Sequence, residues 1–150
     1  MRWHLGFFPL LLALAASLGG AAEPSRTEPL DLARRYLAAR EATMQEGAKP
    51  ADVEAALALC SEALVYEHPR VGIRLSGLDS VRRGMLDFLG GTRKARIAVI
   101  ESLSGRDVVA VTTEVAFEAE EGATWTPVRR RQMWVFEIAD GKIRRILEYW

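Results

Sequence analysis

The chain has 150 residues, 49% of them hydrophobic, with 20 lysines and arginines against 20 aspartates and glutamates. That length and composition suit one domain with its own core, needing neither disulfide nor metal staples. A formal net charge of zero removes the long-range pull that draws basic chains to nucleic acid or anionic membranes.

The first 22 residues stand apart from the fold. Arg2 and His4 make a short polar start, and Leu5 to Leu18 is apolar apart from Gly6, Pro9 and Ser17. Gly19-Gly20-Ala21-Ala22 follows, then Glu23-Pro24. This order reads as a secretory signal peptide cut after Ala22. A spanning helix needs about 20 apolar residues, and this run is shorter and holds Pro9. No cysteine follows it, so no lipid anchor is expected. The expected location is secreted or periplasmic, with no stable membrane anchor after cleavage. Without Arg2 the mature chain has 19 basic and 20 acidic residues, a net of −1. Cys60 is the only cysteine and there are two histidines, so no internal disulfide and no structural zinc site is expected.

Residues 23–29 form a polar, proline-rich leader, and residues 30–150 the domain. Thr27 suits a helix cap and Pro29 a first turn. A first helix is expected from Leu30 to Glu46, with Ala33, Tyr36, Leu37 and Met44 on one face and Gly47 ending it. Pro50 and Asp52 start a second, carrying Val53, Ala56, Leu57, Cys60 and Leu64 at helical spacing. Near Glu62 the pattern turns to a short strand, Leu64 to His68, stopped by Pro69. Residues 70–77 have room for a small hairpin. A third helix starts at Asp79 or Ser80, with Val81, Met85, Phe88 and Leu89 inward, and Gly90-Gly91 closes it. Four strands follow: Arg96 to Leu103, Asp107 to Glu118, Trp125 to Ile138, and Lys142 to Trp150. Helices first and hairpin-linked strands after define an α+β class with a mainly antiparallel sheet.

Three segments carry a family resemblance: EALVYEHP after the second helix, SGLDSVRRGMLDFL opening the third, and the ending FEIADGKIRRILEYW. With this element order, the chain resembles the nuclear transport factor 2-like superfamily, in its SnoaL-like and ketosteroid isomerase-like branch. The resemblance implies three helices packed on a curved sheet, forming a cone around an open apolar pocket. It also implies a small apolar molecule as ligand, no cofactor, and pairing of two copies through the outer sheet face.

Strand alternation sorts the pocket candidates. If His68 faces the cavity, Tyr66 does too, and Val65 and Glu67 point away. Arg130, Gln132, Trp134 and Phe136 share a face of their strand, Ile146, Glu148 and Trp150 share a face of the last one, and the resemblance turns both sets to the cavity. The expected lining is Tyr66, Arg130, Gln132, Trp134, Glu148 and Trp150. Of the ketosteroid isomerase positions, the resemblance puts the tyrosine donor at Tyr36. The carboxylate base falls on His68, and the protonated aspartate falls close to Trp134. One of three is kept and two are changed.

Two functions remain open. The first is an exported small-molecule-binding protein with an apolar pocket and no assigned activity. The second is a cofactor-independent isomerase, lyase or cyclase acting on a small apolar carbonyl compound. There His68 would be the general base, Tyr36 the donor to an enolate oxygen and Trp134 N–H a weaker donor. The bland alternatives are a His68 bonded to backbone or Glu148, a Tyr36 hydroxyl tied to the sheet, Trp134 and Trp150 as wall packing, and a Glu148 paired with Arg130 or another cation at the mouth. Arg129-Arg130-Arg131 is split between faces by alternation, so nucleic-acid binding is not expected. Cys60 in apolar company is expected to stay a thiol.

Overall fold

A computed structural model describes residues 27–150. The expected signal peptide and leader residues 23–26 lie outside the described residues. Helix α1 spans Thr27–Ala42 and buries Leu32, Ala33, Tyr36 and Leu37 along one stripe. It takes in the last three leader residues, with Pro29 in the first turn, where a missing N–H loses no helical bond. It stops short of Glu46. Beyond Ala42 the chain tightens into turns, with Met44 N–H donating to Glu41 O at 3.1 Å, and Gly47 reverses it at φ 78°. The Gln45 amide donates to Ala95 O at 2.8 Å and pins that turn to the sheet.

Helix α2 is the short Pro50–Leu57, its start closed by Lys49 N–H donating to Asp52 Oδ2 at 2.7 Å. Strand β1 runs Cys60–His68, longer than expected, and Cys60 belongs to it rather than to the helix. The reason is tertiary. Ile143 N–H donates to Leu59 O at 3.0 Å, and Cys60 sits opposite Ile143, so sheet pairing overrides the helical spacing. Burial pushes the Cys60 thiol up to about 12, leaving it protonated at neutral pH.

A single 3₁₀ turn, Pro69–Val71, and Gly72 at φ 71° return the chain as β2, Ile73–Ser76, antiparallel to β1. Helix α3, Leu78–Asp87, buries Leu78, Val81 and Met85. Phe88, expected inside, falls just past the helix end and is 67% exposed. Four long strands follow: β3 Thr92–Ser104, β4 Val108–Glu121, β5 Thr124–Ala139 and β6 Lys142–Tyr149. Strand β3 starts at Thr92 rather than Arg96. A register shift between Arg93 and Arg96, with Lys94 at φ 54°, lets pairing continue through a bulge.

The six strands form one sheet in the order β2-β1-β6-β5-β4-β3, antiparallel except where β1 meets β6. Register shifts interrupt the β1–β6, β3–β4 and β5–β6 ladders, and such bulges bend a sheet. The helices cover one face. The core joins Tyr36, Leu57, Leu64, Phe136, Ile143 and Ile146, all nearly inaccessible. Among the described residues no helix is long and apolar enough to cross a membrane.

Candidate functional site

A cavity of about 740 Å³ opens between α1, α3, β2 and the covered face of the sheet. Alternation places its residues. On β1, Tyr66 and His68 turn inward, while Glu67 turns outward to Arg74 and to Arg145, whose Nε–H donates to it at 2.8 Å. That ion cluster ties β2 and β6 to the outer side of β1. It holds the Glu67 carboxyl below the usual carboxylate range, chiefly through the Arg145 hydrogen bond. Strand β5 supplies Arg130, β6 supplies Glu148 and continues to Trp150, and α1 supplies Tyr36 and, one turn on, Arg40. Opposite them lie Leu75, Val81, Gly84, Met85 and Phe88, an apolar wall.

The deep end is polar. Tyr36 is 1% exposed and Glu148 is 6% exposed. The Tyr66 hydroxyl donates to Glu148 Oε2, and the Gln132 amide donates to Glu148 Oε1 at 3.1 Å. Glu148 therefore has neutral donors on both oxygens and no ion pair with Arg130 or any other cation among the described residues, contrary to the expected pairing. Burial raises the Tyr66 hydroxyl pKa, and the Glu148 charge raises it further, so Tyr66 stays a donor. Burial does the same to Tyr36, with a smaller contribution from Cys60. The Tyr36 ring meets Phe136 edge-on at 5.6 Å, and its hydroxyl makes no hydrogen bond among the described residues, so it is not tied to the sheet.

His68 is 5% exposed and stands edge-on to Trp150, ring centroids 4.4 Å apart. Neither ring nitrogen has a hydrogen-bond partner, so it is bonded neither to backbone nor to Glu148. Arg130 lies toward the mouth, its guanidinium carbon 3.8 Å from the Trp150 ring centre and 5.6 Å from that of Phe117. Burial pulls its pKa below the usual arginine value and Glu148 opposes that pull; arginine still keeps its charge at neutral pH.

Six of the eight expected site residues thus line one cavity: Tyr36, Tyr66, His68, Arg130, Glu148 and Trp150. Gln132 and Trp134 do not. Gln132 stands behind Glu148 as its donor. Trp134 is 2% exposed, stacked on Phe136 at 6.2 Å, and its indole N–H donates to Thr113 Oγ1 at 3.1 Å. That N–H is satisfied inside the core, so Trp134 is no donor to a cavity ligand. Arg40 and Phe117 line the cavity without having been expected. The signals for them were present: Arg40 follows Tyr36 by four residues on a helix, and Phe117 continues the inward alternation of Val111, Thr113 and Val115. Among the described residues no group of three or more histidine, cysteine, aspartate or glutamate side chains is placed to hold a metal ion.

The helix-covered, mostly antiparallel sheet with a cavity at its covered face is the fold of the nuclear transport factor 2-like superfamily. Within it, the chain belongs to the SnoaL-like domain family, which matches residues 33–146. A Kribbella flavida protein assigned as a ketosteroid isomerase is 21% identical, with a TM-score of 0.61 over 83% of this chain and 78% of that one. A Pseudomonas putida protein assigned as a polyketide cyclase is 23% identical, with a TM-score of 0.64 over 81% and 90%. An LEH-like epoxide hydrolase of M. tuberculosis is 22% identical, with a TM-score of 0.60 over 82% of each chain. At these identities the likeness concerns the fold alone. No curated protein matches the chain.

Proposed function

We propose that this is an exported protein that binds a small, largely apolar molecule in the cavity and engages it with polar groups at one end. One observation carries the reading. Among the described residues, four buried side-chain polar atoms lack a hydrogen-bond partner, and three of them belong to residues lining this cavity: His68 Nδ1, His68 Nε2 and Arg130 Nε. A buried polar group without a partner costs about 1–3 kcal/mol. A well-packed protein rarely gathers such groups at one place unless a ligand or water completes them. The surrounding wall is aliphatic and aromatic, which suits an apolar body, and the volume is in the range of small-molecule pockets.

The test is native mass spectrometry of the protein purified from its own host. A bound small molecule of one defined mass is expected, on a polypeptide whose N-terminus is Glu23. Repeated failure to find any adduct at low activation energy would count against the binding reading. A chain still carrying residues 1–22 would count against export. The same spectrum reports subunit number, and two subunits would fit the proposed pairing through the outer sheet face, where Met133 is 43% exposed.

A second reading has its own support, since Tyr36, His68 and Glu148 face the same cavity. On that reading a neutral His68 ring nitrogen takes a proton from carbon next to a carbonyl. The C–H electrons move to the carbonyl oxygen, the Tyr36 O–H hydrogen-bonds the resulting enolate, and returning the proton at another carbon completes an isomerisation. Exchange of the α-protons of 2-tetralone in deuterium oxide measures this. His68→Ala is expected to slow protein-catalysed exchange by about 100-fold or more. Equal exchange in the two proteins would remove His68 as the base.

A further inference from the structure

The charges facing the cavity are unequal: Arg40 and Arg130 against the single carboxylate of Glu148, two minus one, leaving +1. The chain as a whole is formally neutral. Glu148 is engaged by Tyr66 and Gln132, and Arg40 donates to Thr43 Oγ1 at 2.6 Å. Arg130 differs from both. Among the described residues it makes no hydrogen bond and no ion pair; its guanidinium lies over two aromatic rings, and Glu148 acts on it through charge alone. Stacking on Trp150 holds the flat face of the guanidinium and leaves its edge, where the N–H donors lie, without a protein acceptor. A partly buried cation with its donors unused is unfavourable alone and well prepared for a planar anion.

We propose, resting on the binding reading above, that the cavity's ligand carries a carboxylate which the Arg130 fork receives beside Trp150, its apolar body lying along Leu75, Val81 and Met85. The matching feature is geometric. A guanidinium edge presents parallel N–H donors at the spacing of two carboxylate oxygens. The two ring contacts fix that edge in place, so little side-chain freedom is lost on binding. The inner end of such a ligand lies nearest Tyr36, whose free hydroxyl suits a carbonyl or hydroxyl oxygen there.

The test compares two ligands of one shape, 2-naphthoate and 2-naphthamide, by isothermal titration calorimetry. Wild-type protein is expected to bind the acid at least about ten-fold more tightly than the amide, the scale of a charge-assisted pair. Arg130→Met should bring that ratio close to one, and Arg130→Lys should leave it intermediate, because lysine keeps the charge and loses the fork. Arg129→Met, on the outer face of the same strand, should keep the wild-type ratio. Should Arg130→Met fail to fold, the wild-type ratio and Arg130→Lys still decide. Equal binding of acid and amide by wild-type protein would overturn the carboxylate inference and leave the binding reading standing. So would an acid preference that survives both Arg130 variants. Binding of neither ligand would overturn the inference and weigh against the binding reading with it.

Discussion

Phe136→Ala is expected to destabilise the protein by about 3–5 kcal/mol, the range for removing a buried phenylalanine ring. Phe136 is 0% exposed and sits where the two halves of the fold meet. Its ring takes the edge of Tyr36 from α1 at 5.6 Å and stacks on Trp134 from its own strand at 6.2 Å. Removing it opens a void that neither neighbour fills without leaving its own contacts. Small domains have about 5–15 kcal/mol of total stability, so this one change takes a large share. The urea midpoint should fall sharply with little change in slope. Phe136→Leu, which keeps most of the volume, should lose much less. The effect reaches the site as well: Phe136 is what Tyr36 rests on, and a loosened Tyr36 no longer holds its hydroxyl at the inner end of the cavity. A loss under about 1 kcal/mol for the alanine variant would mean that α1 does not dock on the sheet through this ring.

How much of this was readable from residues alone depends on the length scale. Alternation groups Arg130, Gln132, Trp134 and Phe136 along β5, and Ile146, Glu148 and Trp150 along β6; the structure keeps both sets and brings them to the same face of the sheet, Trp134 beside Glu148 and Phe136 beside Ile146. Period-two spacing gives a face, because each strand residue points opposite to the last. It does not give depth along that face. Phe136 and Trp134 fill the core, Gln132 supports Glu148, and only Arg130 reaches the cavity. Depth is set by where the helices end against the sheet, a tertiary property that no local pattern encodes. The same limit explains Cys60, whose helical spacing gives way to pairing with β6, and Phe88, which lies just beyond the last turn of α3.

Hydrogen-bond partners were the least legible feature. Glu148 was expected to meet a cation and instead receives Tyr66 and Gln132. Trp134, a weak N–H donor to a ligand on the enzyme reading and packing on the other, gives its N–H to Thr113. Residues 82 apart in sequence, or 16 and 21 apart across hairpins, find each other only once the sheet register is set. His68 shows the converse. Sequence offered it two structural partners and the fold provides neither, which is why it now counts among the site's candidate groups.

Gly84→Leu carries the second large expected effect, and it is the most direct test of whether the cavity is the binding site. Gly84 lies on the cavity side of α3, with no left-handed backbone that would resist a side chain. A Cβ there meets only the terminal Leu75 Cδ1 at 3.2 Å, the end of a side chain that itself borders the cavity. The helix itself gains, since glycine inside a helix is less favourable than leucine by roughly 0.5–1 kcal/mol. The rest of the leucine side chain fills cavity space that a ligand would need. Native mass spectrometry of Gly84→Leu and wild-type protein, purified side by side from the same host, should show adduct on the wild type and at least a ten-fold lower occupied fraction on the variant, with melting temperatures within a few degrees of each other. A well-folded Gly84→Leu carrying the same adduct at the same occupancy would place the ligand elsewhere and contradict the account.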